Sequence, residues 1–382
     1  MKTADIPVIK LTGTPRERGR IYGEAAKLLI ARVVQAWRED LGNFKVGSAS
    51  VPNSEPNAYL SEFLSKTNYI AAVQLWTPHL WEEVQGIAEG AEQHVDNILG
   101  LQLIDEEWVF GLHRNLDKPT AKCTAFGVSM TNNNPSYAGQ NMDIPSWVEG
   151  YQVLLRVTPT ATAPEALVFS IAGSIGLNGV NAAGLGVTCN ALPQLSHSSD
   201  GLPVLFIIRS ILEKRTIDEA ERFLSEIPHA SGQNYILSSR HEMRCFECSA
   251  SRVDRYAPQY LQGRVFHTNH VLVNPDRSVV AAQVDSKPNS SRARLDSIET
   301  RLGNASRTVT LEDAKAALSA HDDPANSVSR VINPHNSTSS IGYTAGSSIY
   351  ELGDTPRLHL AAGPPCETEF KVFDFKTHTD QQ

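Results

Sequence analysis

The chain has few cysteines and no long apolar run, and both absences limit the kind of protein it can be. Its 382 residues include only 5 cysteines, an odd number that is too small for the disulfide framework of a compact secreted domain. The first residues, MKTADIP, lack the apolar stretch of a secretory signal. No uninterrupted apolar run approaches the roughly 18–20 residues that cross a bilayer. We therefore expect a cytoplasmic protein with reduced thiols and no membrane partner.

Long runs of one charge sign are absent as well. The 34 basic and 42 acidic residues give a net charge of -8 and are spread along the sequence, so no basic stripe is available to follow a nucleic-acid backbone. Hydrophobic residues make up 41% of the chain and charged residues 20%, proportions that are ordinary for a globular protein with a packed core. Nucleic acid is therefore not an expected partner.

The first third of the chain has helical patterns. A capping-box sequence begins at Thr14 and predicts a helix directly after it. Gly19 and Gly23 lie one turn apart in this helix and predict that another element packs closely against it. Trp108 is interpreted as a core or interface residue. Further helices are predicted near 56–68, 79–95 and 97–114.

From Cys123 onward the chain changes to short β-type segments separated by turn residues. The tract from Gly176 to Gly186 is interpreted as a turn between strands, and 322–340 as a long loop. Runs of strands and runs of helices favour an α+β fold with antiparallel sheets. No Gly-x-Gly-x-x-Gly turn or Gly-x-Ser-x-Gly elbow supports a dinucleotide-binding or α/β-hydrolase fold. The predicted strands are near 123–131, 151–157, 166–171, 185–189, 233–238, 244–248, 253–257, 264–268, 343–350, 356–361 and 369–374, and the predicted helices near 202–214, 217–226, 291–302 and 311–319.

Cys123 is the first candidate for chemistry because it stands where the helical and strand-rich parts meet. A cysteine that opens a strand is more often a small buried hydrophobe, and on the residues alone that alternative stays open. Asp143 follows at about the distance of one hairpin, which would bring its carboxylate back beside the cysteine. The segment 267–270 (His-Thr-Asn-His) places polar side chains directly after a predicted strand, where they suit a site better than a core.

Taken together, these segments resemble the acyl-coenzyme A:6-aminopenicillanic acid acyltransferase family. Its members are cysteine hydrolases and acyltransferases with an N-terminal nucleophile (Ntn hydrolases), related to penicillin V acylase and bile-salt hydrolase. The resemblance covers nearly the whole chain. It rests on motifs in the family's order, which are Arg18-Gly19 with Gly23-Glu24, Cys123-Thr124-x-Phe126, Gly139 to Asp143, Gly176 to Val187, His267 to His270, and Ala362 to Cys366.

The resemblance implies a four-layer αββα sandwich and a precursor that cuts its own backbone between Lys122 and Cys123. Residues 1–122 would remain as a small helical chain and residues 123–382 would form the large catalytic chain, both within one intertwined domain. The freed α-amine of Cys123, whose ordinary pKa is about 7.7–8.0, would act as the base for its own thiol. The expected substrate is a small-molecule amide, with no cofactor and no metal.

Further site positions take their roles from the same resemblance. Asp143 matches the aspartate that holds the Cys123 amine, and Asn269 matches the asparagine whose side chain forms part of the oxyanion hole. A family arginine falls at Arg292 or Arg294, and the residues leave this choice open. The side chains predicted to contact the substrate are His267, His270, Gln140 and Asn141.

Two positions depart from the family pattern. Lys122 stands where the family usually has glycine, and Gln140 stands where bile-salt and penicillin V hydrolases have arginine, which places the chain nearer to the acyltransferases. The leading hypothesis is an amide hydrolase that forms a thioester on Cys123. The alternatives are an acyltransferase with an amine acceptor and a binding protein in which Cys123 remains internal. Cys245 and Cys248 form a C-x-x-C, but no second pair or suitable histidine completes a zinc or redox site. A homo-oligomer also stays open.

Overall fold

Two β-sheets lie face to face and carry helices on their outer surfaces. The structure is a computed structural model that describes residues 5–42, 45–46, 49–50, 56–114, 123–130, 134–286, 290–332 and 342–375. Its helices are α1 (Pro15–Ala25), α2 (Lys27–Gly42), α3 (Pro56–Ser65), α4 (Tyr69–Trp76), α5 (Pro78–Ala91), α6 (Val95–Gln102), α7 (Ile104–His113), α8 (Val204–Leu212), α9 (Ile217–Glu226), α10 (Ala281–Asp285), α11 (Ser291–Leu302) and α12 (Leu311–Leu318). Its strands are β1 (Val8–Leu11), β2 (Lys45–Val46), β3 (Ala49–Ser50), β4 (Thr124–Val128), β5 (Ser136–Pro145), β6 (Gln152–Val157), β7 (Ala166–Ile171), β8 (Asn178–Asn181), β9 (Gly186–Ala191), β10 (Gln233–Ser238), β11 (Met243–Cys248), β12 (Val253–Tyr256), β13 (Arg264–His267), β14 (Gly342–Leu352), β15 (Arg357–Ala361) and β16 (Lys371–Asp374).

The order of the layers follows from which elements pack together. One sheet has the strand order β1-β6-β7-β8-β9-β10-β11-β12 and the other has β13-β4-β5-β14-β15-β16, while β2 and β3 form a small hairpin. Helices α8 and α9 pack on the first sheet, and α11 and α12 pack on the second. The inner faces meet at contacts such as the hydrogen bond of 3.1 Å that Tyr350 Oη donates to Asn178 Oδ1. The predicted α+β fold, a four-layer αββα sandwich, is confirmed.

The hairpin of β4 and β5 brings the start of one strand to the end of the next. Thr124 of β4 lies opposite Asn141 of β5, so Cys123 comes beside Asp143, as the hairpin inferred from the sequence requires. Strand β13 runs antiparallel along the other edge of β4. The loop that follows β13 therefore begins at the same end of the sheet as Cys123.

Helices α1 and α5 cross at a contact that glycines from both helices make possible. A Cβ atom on Gly19 would lie 2.0 Å from the main-chain oxygen of Glu83, and one on Gly90 would lie 2.2 Å from that of Arg20. Distances this short are sterically forbidden, so only glycine allows the two backbones to approach so closely. The close packing predicted from Gly19 and Gly23 is thus present.

A buried ion cluster fixes the position of these helices against the first sheet. The carboxylate of Glu83 on α5 lies 3.1 Å from Arg18 Nε on α1 and 2.8 Å from Arg209 Nη1 on α8. Burial alone would raise the pKa of Glu83, but the two guanidinium groups outweigh it and hold the pKa below its ordinary value. Because an unpaired charge in this position would be costly, the three helices must keep their relative positions.

Most of the predicted elements are present, and the differences have local causes. Strand β8 lies inside the Gly176–Gly186 tract, for which the sequence predicts a turn. Although Asn and Gly are poor strand formers, β7 and β9 pair with this segment on both sides. The helix predicted over 97–114 is divided at Leu103. Strand β1, which was not predicted, pairs in parallel with β6. Residues 333–340 of the predicted loop lie outside the described residues. None of the described helices combines the length and apolarity that a bilayer span requires.

We predict that Gly19→Ala lowers the free energy of unfolding by about 3 kcal/mol, in the upper range for overpacking, because the new methyl group would overlap the main chain of α5. Gly353→Ala is the matched control, since its added Cβ would lie 3.6 Å from the nearest heavy atom, on Pro135. Urea unfolding followed by circular dichroism measures both variants. Equal stability of the two would contradict the close packing of α1 and α5.

Candidate active site

Cys123 stands immediately before β4 with its side chain almost fully buried. Its Sγ lies 3.7 Å from Met142 Sδ and 3.8 Å from the main-chain oxygen of Asp143. Both neighbours belong to β5, so the hairpin register brings them to the thiol. The side chain is 5% exposed, and the remaining access is to a cavity at this end of the sheets.

The cavity above Cys123 has a volume of about 100 Å³ and is lined mainly by apolar and aromatic side chains. Its walls come from helices α2 and α7, the segment from β5 to Trp147, the end of β9 and the start of β14. Several carboxylates interrupt the apolar surface. The lining residues are Trp37, Asp40, Ile104, Asp105, Glu107, Trp108, Met142, Asp143, Ile144, Pro145, Trp147, Cys189, Ala191 and Gly342.

Arg294 joins three pieces of the backbone beneath this cavity. Its guanidinium is fully buried, and Nη1 donates to the main-chain oxygen of Cys123 at 2.5 Å and to Thr124 Oγ1 at 2.9 Å. Nη2 donates to Asn269 Oδ1 at 3.1 Å, and Nε donates to Ser290 Oγ at 3.0 Å. The planar guanidinium, with its donors in fixed directions, therefore holds three parts of the chain in fixed positions relative to one another: the start of β4, the loop after β13 and the start of α11.

The bond from Arg294 also fixes which way the Asn269 side-chain amide points. Because Oδ1 accepts from Arg294, the NH₂ group must lie on the opposite side, and Nδ2 donates to the main-chain oxygen of Ala191 at 3.1 Å. An amide nitrogen carries two hydrogens. One is used on Ala191, which lines the cavity, and the second can serve a ligand atom.

Asp143 places its carboxylate at the edge of the cavity, where it is almost fully buried. Oδ1 accepts a hydrogen bond of 2.7 Å from Thr344 Oγ1 on the neighbouring strand β14. The strand register shifts directly after Thr344, between Thr344 and Gly346. Cys123, Asp143, Asn269 and Arg294 thus converge from four separate segments of the chain.

Residues 129–356, more than half of the chain, match the acyl-coenzyme A:6-aminopenicillanic acid acyl-transferase family. The chain belongs to this family. The 40 kDa form of acyl-coenzyme A:6-aminopenicillanic-acid acyltransferase from Emericella nidulans is 30% identical over 279 residues, which are 73% of this chain and 72% of the relative. The predicted family and the predicted class of enzyme are confirmed.

Two solved structures have more distant similarity. A variant of conjugated bile acid hydrolase from Clostridium perfringens has a TM-score of 0.44 at 12% identity, covering 68% of this chain and 99% of that one. Penicillin V acylase from Agrobacterium tumefaciens has a TM-score of 0.41 at 13% identity, covering 67% and 86%.

The buried environment sets the protonation of the central groups of this acyl-transferase family member. Burial raises the pKa of the Cys123 thiol to about 12, and the nearby Asp143 carboxylate adds to this effect. Burial also lowers the pKa of Arg294 to about 10, although Asp143 acts in the opposite direction. At neutral pH the thiol is therefore protonated and the guanidinium charged.

The two candidate arginines lie in different surroundings. Arg294 contacts Cys123 and Asn269, whereas Arg292 is exposed and borders a separate surface pocket together with His270. His267 is fully buried, and its Nε2 lies 2.9 Å from Glu247 Oε1. These positions put Arg294 next to Cys123 and leave Arg292, His267 and His270 away from the cavity walls.

Gln140 and Asn141 do not line the Cys123 cavity themselves, although Gln140 holds the main chain of Cys189, which does. Gln140 Oε1 accepts from the main-chain N–H of Cys189 at 3.1 Å, and its amide nitrogen donates to the carbonyl of that residue. On the other face of β5, Asn141 Nδ2 donates to the main-chain oxygens of Leu318 and Val328 at 2.8 and 3.0 Å. Lys122 lies outside the described residues.

Sequence reasoning missed the walls of the cavity. The sequence predicts a core or interface position for Trp108, whereas in the structure Trp108 lines the cavity together with Trp37 and Trp147. The acidic run Asp105 to Glu107, at the start of an otherwise apolar helix, was the available signal, because carboxylates are rarely buried without a reason.

The C-x-x-C segment carries no paired thiols. Cys245 and Cys248 are both buried on β11 and are free, and residues three apart on a strand face opposite sides. Cys245 Sγ instead accepts from Asn234 Nδ2 at 2.9 Å. Within the described residues, no group of three potential metal ligands is present.

We predict that Glu106 makes folding stability fall as pH rises. Burial is the main cause that raises the pKa of Glu106, to about 8, and the nearby charge of Asp105 is the second cause. The hydrogen bonds that Oε1 accepts from Ser231 Oγ at 2.7 Å and Val204 N at 3.1 Å act in the opposite direction but do not outweigh them. In the unfolded chain the glutamate loses this proton near its ordinary pKa of 4.5. Between about pH 4.5 and pH 8 unfolding therefore releases a proton, and stability falls by up to about 5 kcal/mol.

The Glu106→Gln variant keeps the accepting oxygen and removes the titration. Thermal unfolding at pH 5.5, 7 and 8.5 should show a smaller loss of stability with rising pH for this variant than for the wild type. Glu226→Gln, at an exposed position, is the control and should retain the wild-type pH dependence. Parallel pH profiles for all three proteins would refute the assignment.

Proposed function

We propose that the protein is a self-processing amide hydrolase that uses Cys123 as an N-terminal nucleophile on small N-acyl amides. Cleavage between Lys122 and Cys123 leaves residues 1–122 as a small chain bound to the catalytic chain 123–382. The runner-up function is acyl transfer to an amine, and the name of the Emericella nidulans relative favours it. In both, the acyl group passes through a thioester on Cys123.

The observation that carries this proposal is the link from Cys123 through Arg294 to Asn269. One guanidinium holds the carbonyl of the nucleophile residue and orients the amide of Asn269. A hydrogen-bond donor is therefore held, through Arg294, in fixed relation to Cys123, and it contacts Ala191 in the wall of the mainly apolar cavity. Such preorganised donors stabilise the negative oxygen that forms when a thiolate attacks an amide carbonyl.

Maturation follows from the chemistry of a thiol next to its own peptide bond. The sulfur of Cys123 attacks the carbonyl carbon of Lys122, and the thiol proton is transferred to the nitrogen of the scissile peptide bond. The C–N bond then breaks, which leaves Lys122 as a thioester on the sulfur and the nitrogen as the α-amine of Cys123. Water cleaves the thioester to give a carboxylate on Lys122, with a free thiol and a free α-amine on Cys123.

After the cut, the free α-amine of Cys123 supplies a base for its own thiol. Its ordinary pKa of about 7.7–8.0 lets it accept the thiol proton near neutral pH. Asp143, fixed by Thr344, holds the resulting ammonium group. The thiolate adds to the substrate carbonyl, the oxyanion accepts from Asn269 Nδ2, and the ammonium group protonates the departing amine. Water or an acceptor amine then releases the acyl group from sulfur.

The cavity limits the size of the acyl group. Its volume of about 100 Å³ is smaller than the ~150 Å³ cavity that accommodates benzene in other proteins. We therefore propose a short acyl chain as the substrate group that enters it. The five free cysteines support a reducing compartment, and we place the protein in the cytoplasm.

Intact mass under denaturing conditions tests maturation. We predict two fragments divided between Lys122 and Cys123 for the wild type, with masses that together exceed the precursor mass by one water. Cys123→Ala should give a single full-length mass because no sulfur is present to attack. A full-length mass in both samples would favour the binding-protein alternative, and the same cut in Cys123→Ala would assign it to a contaminating protease.

Asn269→Ala tests the catalytic step in processed protein. We predict a fall in kcat of about 10²–10³-fold, the typical effect of losing one oxyanion donor, with short-chain N-acyl-p-nitroanilides as probes. Asn304→Ala, at an exposed position, is the control. Glycine ethyl ester as added acceptor separates the two functions: an N-acylglycine ester product means transfer, and free acid alone means hydrolysis. Unchanged kcat in Asn269→Ala would remove this residue from the mechanism.

A further inference from the structure

Glu247 is a fully buried carboxylate to which four N–H groups converge. Oε1 lies 2.9 Å from His267 Nε2 and accepts from Leu272 N at 2.6 Å, and Oε2 accepts from Val273 N and Asn274 N at 3.0 and 2.7 Å. The side chain has no exposed surface. Three consecutive main-chain N–H groups on one carboxylate form an anion-binding turn whose ligand is supplied by the protein itself.

The segment held by Glu247 is the loop that carries Asn269. His267 ends β13, Asn269 follows two residues later, and the three main-chain donors complete the turn back toward β11. Asn274 adds a second connection, because its Nδ2 donates to the main-chain oxygen of Glu247 at 3.0 Å. Both ends of the loop around Asn269 are therefore tied to one residue of the opposite sheet.

The charge of Glu247 makes this attachment strong. Burial alone would raise the pKa of Glu247, but the His267 hydrogen bond and charge, with the N–H groups of Asn274 and Leu272, outweigh it and lower the pKa. The carboxylate is thus ionised without an Arg or Lys partner among the ion pairs of the described residues. Charge-assisted bonds are about twice as strong as neutral ones, and a buried anion that loses them is strongly disfavoured.

Asn269 is fixed from its other side by α11. Its main-chain N–H donates to Ser291 Oγ at 2.8 Å, and its side-chain oxygen accepts from Arg294. Arg294 and Ser291 fix the direction of the amide, whereas Glu247 fixes how far the loop extends from β13. Glu247 itself does not line the Cys123 cavity.

We propose that Glu247 is a positioning residue that holds the 268–274 loop at the distance Asn269 requires to stabilise the oxyanion. This inference rests on the proposed function, because it takes Asn269 as the oxyanion donor. Glu247, the glutamate of the C-x-x-C segment, would thus affect catalysis by positioning Asn269. The two cysteines of that segment take no part in this role.

The Glu247→Gln variant tests this inference in the full processed protein. Its NH₂ group cannot accept a hydrogen bond, so two of the four N–H groups lose their acceptor while the side chain keeps its shape. We expect kcat per processed molecule to fall about 30-fold, within the range for residues that orient a catalytic group, with KM changed less than about threefold. The processed fraction is counted by intact mass, so incomplete maturation does not enter kcat.

A double-mutant cycle with Asn269→Ala separates positioning from a general structural role. If Glu247 acts through Asn269, then Glu247→Gln changes kcat by less than about threefold in the Asn269→Ala background. An equal loss in both backgrounds, or no loss in either, would overturn the inference. Asp276→Asn is the matched control: its carboxylate holds Ser249 and Ser251 at 2.7 and 2.6 Å beyond the far end of the loop, and kcat should stay at the wild-type value.

A second variant and a second measurement cover the case in which Glu247→Gln does not fold. His267→Leu removes one donor and leaves the three main-chain bonds, so a smaller loss of kcat is expected, again only when Asn269 is present. Hydrogen exchange of the 268–274 amides should accelerate in either variant, whether or not the protein is active. If the wild-type protein lacks activity but its 268–274 amides exchange slowly, only the proposed function is overturned. If the folded variants exchange these amides as slowly as the wild type, only the positioning inference is overturned.

Discussion

The buried guanidinium of Arg294 is the interaction on which the arrangement around Cys123 depends. It sits where α11, the start of β4 and the loop after β13 meet, and each of its three nitrogens is used. A lysine could supply the charge but not three fixed directions. Since burying this charge is costly, the surrounding carbonyl and amide oxygens must be in place before the side chain can be accommodated. The local fold and the site geometry are therefore determined together.

Two other buried charges in the molecule are also compensated by groups from separate parts of the chain. Glu83 is buried between Arg18 and Arg209, and Glu247 is buried among N–H groups of one loop. In each case a charge without access to water is compensated by groups from separate segments, so moving any one segment leaves an unpaired charge. Such centres favour one arrangement over its competitors more than they add to overall stability. They lie where helices meet the sheets and where the loop near Cys123 turns.

Much of the fold could be predicted because its signals are local. Capping boxes at Thr14, Thr216 and Thr310 begin helices in the structure, and the change to β-type segments after Cys123 marks the start of the second sheet. Strand β8 is an exception, because its residues are typical of a turn and it becomes a strand only through pairing with two neighbours. Tertiary pairing of this kind leaves no trace in a short sequence window.

The site was harder to predict from the sequence than the fold, because its residues depend on which way each side chain points. Arg292 and Arg294 are two positions apart on a helix, so they face nearly opposite directions, and the sequence does not say which direction leads inward. Gln140 and Asn141 are adjacent on a strand and point to opposite faces, one toward Cys189 and the other toward Leu318. The cavity walls come from residues far apart in the chain, which only the folded structure brings together.

The parallel pairing of β1 with β6 has a consequence for the lifetime of the mature molecule. Strand β1 belongs to the segment before Cys123 but occupies the edge of a sheet built otherwise from the segment after it. If the backbone is cut at residue 123, the sheet survives, but the connection that delivered β1 to its place is gone. Folding of the precursor is a unimolecular event, whereas refolding of the cut protein requires two chains to meet. The mature enzyme would then last as long as its barrier to unfolding allows, and its persistence would be a matter of rate and not of equilibrium.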